Sequence, residues 1–170
     1  MREGVTFKLD VTPLLTRGLL HQIEEKIMIG VQPYIAFRGN AREAIDFYKQ
    51  ALGAEELYAQ TYGDSPMPDM GSSDAIMHAT VKIGDSHVMF CDDLHSPDFS
   101  TGGNVSLAIG LNDVEKAKSY FANLSEGGNV TMPLDKTFWA EAFGMLTDKF
   151  GVKWMINCDA PKSEAESAAA

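Results

Sequence analysis

The sequence predicts an α+β fold in which two tandem βαβββ modules form curved mixed sheets. The main observation is an internal duplication of the sequence. The segment from Gly84 to Cys91-Asp92 reappears, at one constant spacing, as the segment from Gly151 to Cys158-Asp159. Upstream, the small and apolar positions between Ala41 and Ala51 recur between Val114 and Leu124. A repeat of this length is too long for a solenoid and fits two copies of a small module packed together.

Composition narrows the class of protein. The chain has 170 residues, of which 45% are hydrophobic and 22% charged, as in ordinary globular proteins. A formal charge of −10 and the lack of a basic stripe argue against a nucleic-acid partner. No apolar run approaches the roughly 20 residues that span a bilayer, so no membrane partner is expected. The N-terminus has no signal-peptide pattern, so we expect a cytoplasmic protein with Cys91 and Cys158 reduced.

The two ends of the chain do not belong to the repeat. In residues 1–29, Thr12-Pro13 can open a helix with one apolar face that ends at Gly30. This extension is either an arm that covers a surface or partner subunit, or a non-native leader before a true start at Met28. Residues 160–170 have the composition of a disordered tail.

The first module is predicted to span residues 31–92. A strand at 34–37 leads to a helix, with Asn40 as its N-cap, Glu43 completing a capping box and Gly53 ending it. Period-2 patterns predict three further strands, with a tight hairpin at Gly84-Asp85 between the last two. These strands are expected at 56–61, 75–83 and 87–91.

The second module is predicted to span residues 105–159, after a linker at 93–104 that is rich in Ser, Gly, Pro and Asp. Its helix is capped by Asp113 and ends at Gly127-Gly128. Its strands are expected at 105–111, 129–132, 140–147 and 152–157.

The third strand of the first module shows how such a module can enclose a cavity. One face alternates as Met77, Ala79, Val81 and Ile83, which suits packing under the helix. The other face presents Ile76, His78, Thr80 and Lys82, a mixture that suits the lining of a cavity with a few polar groups.

These modules resemble the vicinal oxygen chelate superfamily, which includes glyoxalase I, extradiol dioxygenases and bleomycin-resistance proteins. The similarity lies in Ala44-Ile45-Asp46-Phe47-Tyr48 and, for the PhnB-like branch, in Thr137-Phe138-Trp139 and Thr147-Asp148-Lys149-Phe150-Gly151. The resemblance implies glyoxalase-like half-barrels, a small-molecule ligand and a homodimer. Fold alone does not fix the chemistry.

The resemblance also implies where a metal would be held. The superfamily's ligand positions fall on Pro33 and Ser106 in the first strands, and on Val88 and Met155 in the last strands. None of these side chains suits Mn, Ni, Zn or Fe, which need imidazole or carboxylate donors. A shift of one residue gives no better set: Tyr34, Met89, Leu107 and Ile156. We therefore expect no metal and no cofactor, and no glycine-rich turn indicates S-adenosylmethionine binding.

Other side chains are candidates for chemistry. His78 is either an acid/base or a structural, hydrogen-bonded histidine. Trp139 and Glu141, two residues apart, form either an aromatic wall with an acid beside it or a core tryptophan with a rim carboxylate. The acidic cluster Asp92, Asp93, His95 and Asp98 is interpreted as a solvated loop rather than a set of metal ligands. The predicted cavity lining is Phe37, His78, Thr80, Trp139, Glu141 and Met155.

Three functions remain open. The first is a metal-free, small-molecule-binding protein of the PhnB-like branch that forms a homodimer. The second is a glyoxalase-like lyase or isomerase in which His78 or Glu141 moves a proton α to a carbonyl. The third is a resistance protein that sequesters an antibiotic or toxin without turnover.

Overall fold

A computed structural model describes residues 30–66, 72–97, 99–100 and 103–159. The helix predicted in residues 1–29, the tail at 160–170 and Asp98 lie outside these ranges.

Each half of the chain forms a βαβββ unit, which confirms the predicted α+β duplication. The first unit comprises β1 (Tyr34–Phe37), α1 (Ala41–Leu52), β2 (Glu55–Thr61), β3 (Ile76–Ile83) and β4 (Ser86–Asp92). The second comprises β5 (Leu107–Leu111), α2 (Val114–Ser125), β6 (Asn129–Asp135), β7 (Ala140–Thr147) and β8 (Lys153–Asp159). The strand orders are β1-β4-β3-β2 in sheet 1 and β5-β8-β7-β6 in sheet 2. Only β1–β4 and β5–β8 pair in parallel among these strands.

Helix α1 begins differently from the prediction. The side chain of Asn40 makes no capping hydrogen bond. Instead, Oδ1 of Asp92 accepts from the backbone N–H groups of Gly39 at 2.9 Å and Ala41 at 3.0 Å, and Oδ2 accepts from that of Ile76 at 2.8 Å. Asp92 is only 2% exposed. The expectations of an Asn40 capping box and of a solvated Asp92 are both wrong, because this carboxylate caps the helix from the end of β4.

The predicted helix ends and caps otherwise agree with the structure. Gly53 follows α1 with φ of 67°, in the left-handed region that glycine adopts without strain. Gly84, with φ of 58°, opens the two-residue turn between β3 and β4. Asp113 caps α2 by accepting a hydrogen bond from the backbone N–H of Lys116 at 3.0 Å.

Each sheet has a helix face, which packs against α1 or α2, and an open face on its other side. On β4, Val88, Phe90 and Asp92 are buried on the helix face, so Cys91 lies on the open face. On β8 the buried residues are Trp154, Ile156 and Cys158. The sequence repeat suggested that Cys91 and Cys158 occupy equivalent positions. In the structure they do not, because Cys91 lies on an open face and Cys158 on a helix face. Counted from the hairpin glycine, Gly84 or Gly151, the structurally equivalent positions of β4 and β8 differ by one residue.

The helix faces of both sheets contribute to a single hydrophobic core. Phe150, in the turn between β7 and β8, lies against rings of the first module. Its centroid is 6.1 Å from that of Phe37, 5.6 Å from that of Phe47 and 6.2 Å from that of Tyr48. The two modules are thus packed through their helix-covered sides.

A buried carboxylate links the modules within this core. Oδ2 of Asp148, in the β7–β8 turn, accepts from the hydroxyl of Tyr48 on α1 at 2.7 Å and from the indole N–H of Trp154 at 2.8 Å. Oδ1 accepts from the backbone N–H groups of Phe150 at 2.9 Å and Val152 at 3.0 Å. Asp148 is 3% exposed, yet both oxygens are satisfied. Burial and the charge of Asp148 raise the pKa of Tyr48 well above its usual value, so its hydroxyl remains a donor.

We expect Asp148→Asn to lower the free energy of unfolding by about 3 kcal/mol, because the amide nitrogen would face donors inside the core. Urea unfolding followed by tryptophan fluorescence measures this loss. Asp159→Asn, at the exposed end of β8, is the control and should change stability by less than about 0.5 kcal/mol. Equal effects of the two substitutions would contradict the role assigned to Asp148.

Candidate functional site

The open face of sheet 1 carries a row of side chains across all four strands. The strand register places Tyr34 beside Met89, Met89 beside Thr80, and Thr80 beside Tyr58. His78 lies on the same face, one pair further along β3 and opposite Gln60. His78 and Thr80 therefore share the predicted face.

The remainder of the β3 prediction is only partly correct. Ala79 and Val81 are fully buried on the helix face, as expected. Ile76, expected on the cavity face, is fully buried, since β3 begins there with its N–H bound to Asp92. The open face is accordingly shorter and more polar than the alternation suggested.

His78 is held at both ring nitrogens. The hydroxyl of Tyr34 lies 3.2 Å from Nδ1, and the hydroxyl of Thr80 lies 3.4 Å from Nε2. The rings of Tyr34 and Tyr58 have centroids 5.7 Å and 6.1 Å from that of the imidazole. Within the described part of the chain, the hydrogen-bond partners of His78 are hydroxyl groups and not carboxylates. The imidazole is oriented, but no acid polarises it.

Tyr34 also connects this cluster to a cleft. Two effects raise the pKa of Tyr34 to about 12: partial burial is the larger, and the neighbouring Cys91 thiol is the next. The Tyr34 hydroxyl is therefore protonated at neutral pH. The cleft has a volume of about 420 Å³ and lies between the edge strands β1 and β5, against the β7–β8 turn. It is lined by Pro33, Tyr34, Ile35, Ala36, Phe99, Ser100, Val105, Leu107, Phe150, Gly151, Val152 and Lys153.

The predicted cavity-lining residue Phe37 lies elsewhere. It is 3% exposed, and its ring packs 5.6 Å from that of Phe90 and 6.1 Å from that of Phe150. The pairing of Phe37 with Asp92 turns its side chain into the core. This corrects the expectation that Phe37 lines the cavity.

The candidates in the second module are spread over the open face of sheet 2 and the hairpin that precedes β7. Trp139 lies before β7 rather than within it, so it does not share a strand face with Glu141 as predicted. Trp139 is 49% exposed, with its ring 5.5 Å from that of Phe143. Glu141 forms an ion pair with Lys136 at 2.9 Å. Its charge is therefore partly compensated, which weakens the case for a free acid/base.

Met155 belongs to a methionine row that the sequence analysis missed. The register places Ala108, Met155, Met145 and Met132 side by side across the four strands of sheet 2. Methionine side chains are flexible and polarisable, so such a row adapts to ligands of different shapes. The strand alternation contained this signal, but the pairing of β6 with β7 was needed to align it.

The residues at the superfamily's metal positions do not fit a metal. Val88 is buried on the helix face, so the open-face positions of β4 and β8 are Met89 and Met155. Thioethers are poor ligands for the divalent ions that prefer oxygen and imidazole. Within the described ranges, no group of three or more His, Cys, Asp or Glu side chains is placed to hold a metal ion.

Neither α1 nor α2 has the length and apolar character that crossing a bilayer requires.

Paired βαβββ modules, each with a helix-covered and an open sheet face, form the fold that the resemblance to the vicinal oxygen chelate superfamily implied. The family described as 3-demethylubiquinone-9 3-methyltransferase matches residues 30–157. The YjdN protein of Escherichia coli K12 is 39% identical over 138 residues, covering 75% of this chain and 93% of YjdN.

Two solved structures are similar as well. Protein PA1353 from Pseudomonas aeruginosa is 40% identical with a TM-score of 0.70. The match covers 79% of this chain and 100% of the PA1353 chain. The PhnB protein from Bacillus cereus is 27% identical with a TM-score of 0.67, covering 76% and 99%. The chain belongs to this PhnB-like family, described as 3-demethylubiquinone-9 3-methyltransferase.

The family description implies a methyl donor, and the residues present do not fit one of the nucleotide type. Such donors are held by free backbone N–H groups in a glycine-rich turn that leads from a strand into a helix. In the turn from β1 to α1, Asp92 already binds the N–H groups of Gly39 and Ala41. Asp113 fills the same role at the start of α2. No methyl-transfer step follows from this arrangement.

The two cysteines test the orientation of the strands. Because Cys91 lies half-buried on the open face and Cys158 lies in the core, a disulfide reagent at pH 8 should modify Cys91 at least about 100-fold faster. Burial raises the pKa of both thiols, so both rates should continue to rise with pH above the usual thiol range. Labelling of Cys158→Ser and Cys91→Ser variants separates the two. Faster labelling of Cys158 would contradict the strand register.

Proposed function

We propose that the protein is a metal-free, cytoplasmic binding protein for a small organic molecule, which sits in the cleft beside β1. The observation that carries this proposal is the position of Tyr34. Tyr34 lines the cleft, and its hydroxyl lies 3.2 Å from the Nδ1 atom of His78. A mostly apolar cleft with a few fixed polar groups is typical of small-molecule sites, and about 420 Å³ lies within their usual range.

The metal-free part of the proposal is supported by the donor set. The open-face positions that would hold an ion carry Met89 and Met155, whose thioethers are weak ligands for hard cations. Recognition then depends on shape and on the hydroxyl of Tyr34, which His78 holds in place.

We further propose that the protein is a homodimer, with the partner covering the open face of sheet 2. Phe138 and Trp139, at the hairpin before β7, are 95% and 49% exposed, and Met132 is also exposed. The ring centroids of Phe138 and Trp139 lie 4.5 Å apart, in an edge-to-face arrangement. Exposed aromatic side chains that lie side by side are typical anchors of protein interfaces.

Native mass spectrometry of protein purified without chelator tests the dimer and the metal-free state together. We expect a mass of two chains with a co-purified organic ligand, and less than about 0.1 equivalent of Ni, Zn, Mn or Fe by elemental analysis. The Phe138→Ser/Trp139→Ser variant should shift the protein to monomer, because it removes the exposed rings. Lys118→Ala, on the exposed face of α2, is the control. One equivalent of metal per chain would refute the metal-free proposal.

A second candidate function is a lyase or isomerase, favoured by the contacts of His78. An imidazole held by two hydroxyls is oriented to move a proton α to a carbonyl. Glu141 is less suited to this role, since Lys136 binds it.

The two candidate functions differ in what His78→Ala does. For a binding protein, we expect the co-purified ligand to remain chemically unchanged after incubation, and His78→Ala to weaken its binding about tenfold through loss of a hydrogen-bonded group. For an enzyme, mass spectrometry would detect a converted ligand, and His78→Ala would stop the conversion. Glu141→Gln separates the two acid/base candidates, with circular dichroism confirming that each variant is folded.

A further inference from the structure

We infer that the ligand of this cleft is an amphipathic molecule with a single negative charge, of the carboxylate class, and that Lys153 supplies the opposite charge. This inference rests on the proposed function and specifies its ligand. It is supported by the character of the walls, by the electrostatics of Lys153 and by the free edge of β1.

The walls of the cleft are apolar on several sides. The side chains of Val105 and Leu107 belong to the β5 side, Phe150 and Val152 to the β7–β8 turn, and Ile35 to β1. These surfaces suit a hydrocarbon or aromatic body, whose transfer from water contributes roughly 25 cal/mol for each Å² of apolar area. The ligand therefore has an apolar part of substantial size.

Lys153 is the charged residue among those that line the cleft. The chain has 14 basic against 24 acidic residues, so a cleft wall with a cation and no carboxylate departs from the overall balance. Arg42, Lys49, Lys118 and Lys136 each form ion pairs, whereas Lys82, Lys116, Lys149 and Lys153 have no carboxylate partner within the described residues; of these four, Lys153 lines the cleft. Its charge is left for an external anion.

The contacts of Lys153 leave donors available. Its Nζ donates to the backbone carbonyl of Gly103. An ammonium group has three N–H donors, so two remain for a ligand. A second cation lies near the cleft rim, where the Arg38 guanidinium is 4.7 Å from the ring centroid of the lining residue Phe99. The charge of Arg38 is partly offset by Asp93, so Lys153 remains the cation of the cleft.

The edge of β1 supplies neutral donors. The carbonyl oxygens of Pro33 and Phe37 accept from the N–H groups of Met89 at 2.9 Å and Asp93 at 2.8 Å, so these odd-numbered positions face β4. In a parallel pair the backbone groups alternate in direction, and β1 is the outermost strand of its sheet. The N–H groups of Tyr34 and Ala36 therefore point to the free edge beside the cleft, where a carboxylate oxygen can accept them.

The same features argue against a polyanion such as a nucleotide. Phosphate groups are usually held by free helix N-termini or by several cations. Both described helix N-termini are capped by aspartates of this chain, Asp92 and Asp113. One lysine with two edge N–H groups matches one carboxylate.

Two fluorescent probes test the charge requirement. The first, 8-anilinonaphthalene-1-sulfonate, is anionic, and the second, N-phenyl-1-naphthylamine, has the same rings without the sulfonate. In low salt we expect the anion to bind about tenfold more tightly than the neutral probe to the full chain, with the advantage shrinking as salt is added. Lys153→Met should bring the two affinities together. Lys116→Met removes a lysine of α2 that also lacks an ion pair, and it should preserve the difference.

A second variant locates the probes. Val105→Trp fills the cleft and should weaken both probes, whereas binding to the methionine row of sheet 2 would be unaffected. Urea unfolding midpoints show whether each variant is folded. Equal affinities of the two probes for the unaltered chain, or a preference that survives in Lys153→Met, would overturn the anion inference and leave the proposed binding function standing. Failure of both probes to bind, or binding that Val105→Trp does not weaken, would overturn the cleft itself and with it the proposed function.

Discussion

The arrangement of the two modules depends on the buried carboxylate of Asp148. Burying a charge without partners is costly. Here each carboxylate oxygen of Asp148 accepts two hydrogen bonds, from Tyr48 and Trp154 on one oxygen and from two backbone N–H groups on the other. The same contacts fix the β7–β8 turn, in which Gly151 adopts φ of 86°. Because Phe150, Gly151 and Val152 form one wall of the cleft, the residue that joins the modules also sets the shape of the cleft.

The two copies share a fold but have diverged in chemistry. In the first, the helix is capped from a distant strand by Asp92, and the open face carries Tyr34, His78 and Thr80. In the second, the helix is capped locally by Asp113, and the open face carries a methionine row. One face offers fixed hydrogen bonds, and the other offers an adaptable apolar surface. Duplication thus provided a symmetric scaffold on which the two halves came to differ in polarity.

The secondary structure was predictable because it is encoded locally, through periodic apolar positions and glycines at the turns. The roles of the buried acids were not. Asp92 binds a helix 51 residues away in sequence and Asp148 binds a tyrosine 100 residues away, so neither neighbourhood reveals its donors. Phe37 was misplaced because a strand of four residues is too short for alternation to define its faces. Tyr34 was missed as a cleft residue because its role depends on where β5 lies relative to β1.

The replacement of metal donors by methionine has a consequence for how a ligand is recognised. A bound divalent ion polarises and orients the group that it coordinates. In the proposed metal-free function, with Met89 and Met155 on the open faces, the binding energy comes from burying an apolar body and from a few polar contacts. Burial of apolar surface does not discriminate strongly between molecules of similar shape. A polar group of the cleft does, because a ligand without a matching polar group leaves it without a hydrogen bond. Under the proposed function, selectivity therefore depends on the small polar set, Tyr34 and Lys153, rather than on the larger apolar surface around it.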